Sequence, residues 1–131
     1  MHKILQPDGW AKPVGYSNGV VAQGRLIFTG GQIGWNARCE FESDDLVDQI
    51  GRTLANIAAI LEAAGAGPEH ITSMTWYLTD IAEYRAGLKR MGPVYREVMG
   101  RHFPPMAVVE VTRLVEARAK VEIQATAVTP D

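Results

Sequence analysis

Few residues of this 131-residue chain have the types and spacing that a catalytic, ligand-binding or metal site requires. The most suggestive segment is the glycine cluster Gly30-Gly31-Gln32-Ile33-Gly34, which follows a predicted strand. A phosphate-binding loop would place Lys-Ser or Lys-Thr after its glycines and open a helix directly, and this segment does neither. The cluster instead indicates backbone brought close to a ligand or a neighbouring chain, with a plain β-bulge as the alternative.

The histidines and the single cysteine do not form a recognisable reactive group. His2, His70 and His102 are too dispersed for any pair to have metal-ligand spacing, so no metal site is predicted. Cys39 lies in a polar loop, and a nucleophilic role would need an activating partner that the sequence does not supply. As the only cysteine, it cannot form an intrachain disulfide, so nothing requires an oxidising compartment.

A strand is entered through two prolines in the segment Phe103-Pro104-Pro105-Met106-Ala107. Prolines stiffen a strand entry and donate no hydrogen bond, which suits the lip of a cleft. Met106 is therefore predicted at that lip. A thioether offers no charge and no strong donor, so Met106 would supply an apolar surface that adapts to irregular shapes.

One long amphipathic helix is the most strongly patterned element. Ser43 or Asp44 is predicted to cap it, and Gly65 is predicted to stop it just after Ala64. A single apolar stripe of this kind needs one apolar surface to lie on, which predicts a sheet beneath the helix. The stripe consists of Leu46, Ile50, Leu54, Ile57 and Leu61.

A second helix is predicted after a strand over residues 71–79. Asp80 can cap this helix, and Glu83 stands three residues later, where a capping box needs an acidic or amide side chain. Pro93 lies inside the helical pattern, so a kink or a restart is predicted there.

The last strand, residues 119–128, alternates between small or apolar residues and polar ones, Glu122 among the latter. This alternation is typical of an antiparallel sheet with one face on the core, and the two helices are predicted to cover that face. In the preceding strand, Met106 and Val108 are predicted on the uncovered face. Apolar side chains there favour association with another copy of the chain.

Length and composition restrict the class of protein. One domain over residues 1–131 is expected, and 47% hydrophobic with 21% charged residues is typical of a globular protein with a core. A net charge of −2 and scattered basic residues argue against a nucleic-acid partner. The N-terminus lacks the apolar core of a signal peptide, and no apolar run approaches the roughly 20 residues of a membrane span. A cytoplasmic protein with no membrane partner is therefore expected.

Short segments that match a known protein family are spread along the chain. They are Gly15-Tyr16-Ser17, residues 26–33, residues 56–65, Tyr77-Leu78-Thr79-Asp80, Val94-Tyr95, Phe103-Pro104, Val109-Glu110-Val111 and Val121-Glu122-Ile123. Together they resemble the Rid family (YjgF, RidA-like; also labelled endoribonuclease L-PSP). The resemblance implies a chorismate-mutase-like α+β fold, with a mostly antiparallel sheet and two helices on one face. It also implies a homotrimer with small-molecule clefts between subunits and, for the best-known branch, hydrolysis of reactive enamines and imines without any cofactor.

The resemblance carries over to the site residue by residue, with one exception. Tyr16 and Gly31 match the pocket tyrosine and glycine of the family, and Glu122 matches the glutamate that positions or activates water. Met106 stands where that branch has the arginine that binds the substrate carboxylate, and Ala107 is its neighbour in the substrate-binding segment. The chain therefore resembles an atypical member that lacks the active-site arginine.

The loss of this arginine would weaken the binding of the substrate carboxylate. A hydrogen bond to a charged group contributes roughly 1.5–3 kcal/mol, so capture of a 2-imino acid would weaken by about ten- to a hundredfold. Gly92 also replaces an asparagine that is common in the second helix of the family. Arg25, Arg38 and Arg118 are the candidates to supply a replacement charge.

Three functions remain open from the sequence. The first is an enamine or imine deaminase with an aromatic or larger substrate, which would use Glu122 and backbone donors near Gly31 and Ala107. The second is a non-catalytic trimeric protein that binds a small molecule, which the apolar Met106 favours. The third is a ribonuclease, which the acidic charge balance disfavours. Without the family, Glu122 would be interpreted as a solvated or salt-bridged sheet residue and Tyr16 as a structural loop residue.

Overall fold

The computed structural model describes residues 2–130, so Met1 and Asp131 lie outside the description. The strands and helices do not strictly alternate, since four strands precede the first long helix. In chain order they are β1 (Lys3–Leu5), β2 (Gly19–Val21), β3 (Arg25–Phe28), β4 (Gln32–Ile33), α1 (Leu46–Ala63), a 3₁₀ turn (Pro68–His70), β5 (Ile71–Leu78), α2 (Ile81–Ala86), α3 (Leu88–Met99), β6 (Met106–Glu110) and β7 (Val121–Thr129).

The main sheet has the strand order β3-β7-β5-β6, and the short β4 also pairs with β7. All of its pairings are antiparallel except that of β5 with β6, which is parallel. Strands β1 and β2 form a separate antiparallel ribbon. The α+β class and the mostly antiparallel sheet predicted from the sequence are therefore confirmed.

The core lies between the main sheet and the helices. All five members of the predicted α1 stripe are buried, and they contact the buried side chains of β5 and β7. The predicted alternation of the last strand is confirmed as well, because Ala119, Val121, Ile123, Ala125 and Ala127 are all buried. Residues between them, including Glu122, therefore project from the opposite face, which is called the open face below.

Helix α1 is capped by Asp45, one or two residues later than predicted. The Asp45 carboxylate accepts a hydrogen bond from the backbone N–H of Asp48 at 2.9 Å. Ser43 supports this cap, since its hydroxyl accepts from the Asp45 N–H at 3.0 Å. The predicted stop is confirmed: the helix ends at Ala63, and Gly65 adopts a positive φ of 73° directly after the cap.

The second helix is interrupted at Gly87 and not at Pro93, where the sequence predicted the break. Gly87 packs so closely on α1 that a Cβ there would lie 2.9 Å from Val47 Cγ2. The prediction that Asp80 caps α2 is confirmed, with bonds from two backbone N–H groups. Glu83 does not complete a capping box with Asp80; its carboxylate instead accepts from Lys120 Nζ at 3.0 and 3.2 Å.

The predicted orientation of β6 is wrong. Met106 and Val108 pack against the core on the helix side, while Ala107 and Val109 are exposed on the open face. The cause is the parallel register with β5, which sets Met106 beside buried Met74 and Val108 beside buried Trp76. Neighbours in register share a face of the sheet, so Met106 follows the face of Met74.

No helix in the described part of the chain is both long enough and apolar enough to cross a membrane. Within residues 2–130, no three side chains of His, Cys, Asp or Glu are grouped so that they could hold a metal ion.

Candidate functional site

The Glu122 carboxylate lies against Gly31, the glycine directly before β4. Ile33 of β4 pairs with Glu122 of β7, and this pairing brings Gly31 next to the carboxylate. A Cβ on Gly31 would lie 2.9 Å from Glu122 Cδ and would overlap Oε2. The glycine cluster therefore brings backbone close to an acidic side chain, which only a residue without a Cβ allows here.

Glu122 is half-buried on the open face, and its carboxylate has no hydrogen bond or ion pair within residues 2–130. Most other carboxylates in partly buried positions are engaged, as Glu83 is with Lys120. A carboxylate that is held beside backbone and otherwise unpartnered can accept a proton from water or hold a water molecule in place.

Met106 does not lie near Glu122 and Gly31; it lines a pocket of about 360 Å³ between β6 and helices α2 and α3. Its lining includes four aromatic residues, Trp76, Tyr84, Tyr95 and Phe103. The ring centroids of Trp76 and Tyr84 lie 6.3 Å apart in an edge-to-face arrangement, and Tyr95 lies 6.3 Å from Trp76 on another side. Burial raises the pKa of both tyrosines, so their phenols stay protonated. The pocket thus offers an apolar surface large enough for a small aromatic ring.

Within the described range 2–130, Arg96 is the one charged residue that lines this pocket, and the sequence did not single it out. Its guanidinium lies over Gly92, where a Cβ would be 3.4 Å from Arg96 Nη1. Arg96 and Gly92 are four residues apart on α3, so a glycine one turn before an arginine was the available signal.

The arginines predicted to replace the missing charge do not line the Met106 pocket. Arg38 pairs with Glu40 at 3.2 Å, and Arg118 pairs with Asp44 at 2.9 Å. Arg25 is exposed at the start of β3, on the strand at the other edge of the sheet from β6.

Tyr16 stands at the mouth of a second groove, of about 660 Å³, between the N-terminal ribbon and the entry to β6. The next residue, Ser17, ties this loop to the proline entry, because its hydroxyl donates to the Phe103 carbonyl at 2.5 Å. Gly15, the residue before Tyr16, lines the Met106 pocket. Tyr16 is 44% exposed. The loop therefore places Tyr16 in the second groove, next in sequence to Gly15 of the Met106 pocket, and leaves its side chain accessible.

The predicted site residues thus fall into two separate groups within one copy of the chain. Glu122 and Gly31 lie together on one side of β7, whereas Met106 and the Tyr16 loop lie at the β6 edge. Ala107 is at that edge too, with its side chain on the open face. Strand β5 separates β7 from β6, a distance of about 10 Å, and Glu122 and Met106 use opposite faces. One copy does not bring the glutamate and the methionine together.

Comparisons with known proteins fit this geometry. The family model described as endoribonuclease L-PSP matches residues 10–129. The chain is 33% identical to a RutC family protein of Pyrococcus horikoshii, over 87% of this chain and 88% of that protein. It is 32% identical to the putative reactive intermediate deaminase TdcF of Escherichia coli K12, over 98% of each. The solved structure of YyfB from Yersinia pestis, titled a protein of unknown function of the conserved Rid family, superposes with a TM-score of 0.87, at 26% identity and with 98% of each chain covered. From the family model, the matching segments and the fold together, the chain belongs to the Rid (YjgF) family.

Proposed function

We propose that this protein is a deaminase that hydrolyses reactive enamines or imines, with Glu122 as the residue that activates water. The observation that carries the proposal is the unpartnered Glu122 carboxylate, held against the backbone by Gly31. The relative named a putative reactive intermediate deaminase, which matches along nearly the whole chain, supports the same reaction class.

The proposed reaction needs only water and the substrate. Glu122 takes a proton from a water molecule as the water oxygen attacks the imine carbon, and it passes that proton to the imine nitrogen. The resulting carbinolamine then expels ammonia: Glu122 takes the proton of the carbinolamine hydroxyl and gives it to the departing nitrogen, as the C–N bond breaks and the C=O bond forms. An enamine reaches the same pathway after it tautomerises to the imine. One imine and one water give one carbonyl compound and one ammonia.

The cleft is proposed to form between subunits of a homotrimer. Since Glu122 and Met106 lie apart in one copy, a second copy is needed to bring the two groups together. The open face carries exposed apolar side chains suited to such association: Leu26 is 61% exposed, Phe28 69% and Val109 40%. Patches of this kind mark association surfaces in globular proteins. The association predicted from the sequence is thus retained, but through different residues from Met106 and Val108.

The substrate side chain is proposed to be aromatic or otherwise larger than that of the common small imino acids. Met106, Trp76 and Tyr84 give the pocket an apolar lining, and about 360 Å³ accommodates a small ring system. Methionine adapts to irregular shapes and makes favourable contacts with aromatic rings.

The test is ammonia release from freshly generated imino acids of increasing side-chain size. Native protein is expected to prefer large or aromatic substrates, and Glu122→Gln to lose roughly a hundredfold or more in rate, as expected for removal of a general base. Glu62→Gln makes the same chemical change at an exposed position of α1 and should match native protein. Equal rates for native protein and Glu122→Gln on every substrate would refute the assignment.

Met106→Arg tests the substrate preference separately. The added guanidinium is expected to raise the rate on small imino acids and to lower it on aromatic ones, because it fills apolar space with charge. A native protein already as active on small imino acids as the variant would contradict the role given to Met106.

The alternative is a trimeric protein that binds a small molecule without turnover, and Met106 is the observation that favours it. It predicts binding of an aromatic ligand by calorimetry together with no ammonia release from any imine. The description of the matching family model as an endoribonuclease is not transferred to this chain, because a net charge of −2 with scattered basic residues suits RNA poorly.

A further inference from the structure

We propose that Arg96 of α3 supplies the carboxylate-binding charge of the Met106 pocket, so that the ligand is an anion with an apolar or aromatic body. This inference rests on the proposed function only in taking the Met106 pocket as part of the substrate cleft. It names a residue that the sequence comparison did not single out, on a different element from the position that Met106 occupies.

The guanidinium of Arg96 lies along the surface of α3, over Gly92. A Cβ at position 92 would be in ordinary van der Waals contact with it, 3.4 Å from Arg96 Nη1 and 3.8 Å from Nη2. Gly92 and Arg96 both line the pocket that Met106 lines. The guanidinium is therefore placed beside this pocket.

The charge balance of the pocket also favours an anion. Among residues 2–130, its lining contains one cation, Arg96, and no aspartate or glutamate. Arg96 makes no ion pair with any residue in the range 2–130, whereas Arg90, on the same helix, is engaged with Asp45 at 3.1 Å. A positive charge at an apolar pocket, without an acidic neighbour inside it, favours an anionic ligand.

Trp76 lines the pocket but is completely buried, and its Nε1–H has no hydrogen-bond partner within residues 2–130. Because this nitrogen has no accessible surface, a ligand in the pocket does not reach it. Recognition of a charged group by the pocket therefore falls to Arg96.

These features together describe a carboxylate with a hydrophobic body. The carboxylate would accept two parallel bonds from Arg96, which the planar guanidinium is shaped to give, and the body would lie against Trp76, Tyr84 and Met106. Met106 and Arg96 then have separate tasks: the methionine shapes the apolar part of the pocket, and the arginine recognises the charge.

The test uses two stable probes of the same shape, 3-phenylpropanoate and its uncharged amide, with binding measured by calorimetry on full-length protein. Native protein is expected to bind the carboxylate about ten- to a hundredfold more tightly than the amide. Arg96→Met should remove that preference while leaving amide binding unchanged. Arg96→Lys should keep part of the preference, since a lysine retains the charge but not the paired donors.

Arg85→Met is the matched control, because Arg85 is an exposed arginine of α2 that does not line the pocket. It should behave as native protein, and melting temperatures should show that all variants are folded. Failure of native protein to bind the carboxylate, lack of preference over the amide, or an unchanged preference in Arg96→Met would each overturn the proposal.

Failure of this inference is distinguishable from failure of the proposed function. Glu122→Gln should still prefer 3-phenylpropanoate over its amide, because Arg96 is unchanged in that variant. If Glu122→Gln abolishes ammonia release and Arg96→Met leaves carboxylate preference intact, the deaminase assignment stands and the role of Arg96 is wrong. The reverse pattern would leave a carboxylate-binding protein without the proposed catalysis.

Discussion

Replacing Gly31 with alanine tests whether the position of the Glu122 carboxylate matters. The new Cβ would lie 2.9 Å from Glu122 Cδ and 3.1 Å from Cγ, and it would overlap Oε2. Non-bonded heavy atoms prefer about 3.5–4.0 Å, so the carboxylate must move by roughly 1 Å. A catalytic group misplaced by about that distance loses on the order of a hundredfold in rate. Gly31→Ala is therefore expected to lose about a hundredfold in kcat/KM.

Stability should change little in this variant, because the group that must move is the free end of a flexible side chain. Gly31 also has no left-handed backbone conformation, so alanine causes no strain there. Gly30→Ala is the matched control: it makes the identical change one residue earlier, where a Cβ meets nothing within 4 Å. The assay is ammonia release on the best imine substrate, with urea unfolding alongside. Equal kcat/KM for Gly31→Ala and Gly30→Ala would refute the reasoning.

Three further predictions concern assembly and stability. Phe28→Asp should convert the proposed trimer to monomers, because it places a charge on a surface where burial of each apolar side chain is expected to contribute roughly 1.5–3 kcal/mol. Light scattering after gel filtration measures the mass of the assembly. An unchanged mass would contradict the proposed surface. Leu54→Ala, in the middle of the core, should cost about 2–5 kcal/mol in urea unfolding, and a loss below about 1 kcal/mol would contradict its assigned packing. Hydrogen bonds from Arg90 hold the pKa of Asp45 below its ordinary value, so the ion pair stabilises the fold above about pH 4 and is lost as pH falls through the lowered pKa. Asp45→Ala should therefore destabilise by about 1 kcal/mol at pH 7 through the lost α1 cap, and Asp45→Asn by less. The difference between native protein and Asp45→Asn should shrink as pH falls below about 4 and disappear below the lowered pKa of Asp45. A difference that persists in that more acidic range would exclude the ion pair as its cause.

Hydrophobic periodicity predicted the elements whose own sequence shows which face is buried. The α1 stripe repeats at helical spacing, and β7 alternates small or apolar residues with polar ones, so the buried face of each can be identified from its sequence. Strand β6 has no such pattern, because Met106, Ala107, Val108 and Val109 are all apolar. Its orientation is decided by the register with Met74 and Trp76 of β5, which is a contact between distant segments and therefore absent from any local pattern.

Contacts between distant segments also determine the geometry of the candidate site, so local sequence patterns could not predict it. Glu122, Gly31 and Met106 could be named from sequence segments, and their roles stay predictions. The contact of Gly31 with Glu122 depends on the pairing of β4 with β7, about 90 residues apart in the chain. Arg96 has the appearance of an ordinary exposed helix residue until the fold sets Gly92 and Met106 beside it. Gly87, which interrupts the second helix, is likewise explained only by its packing on Val47.

The separation of Glu122 from the Met106 pocket within one chain has a genetic consequence. In the proposed trimer, each cleft combines the glutamate of one subunit with the pocket of its neighbour. Two inactive alleles, Glu122→Gln and Arg96→Met, would then complement one another when expressed together. With random mixing of equal amounts, about a quarter of the clefts would receive both unmutated halves. A heterozygous cell would regain a function that neither allele provides alone.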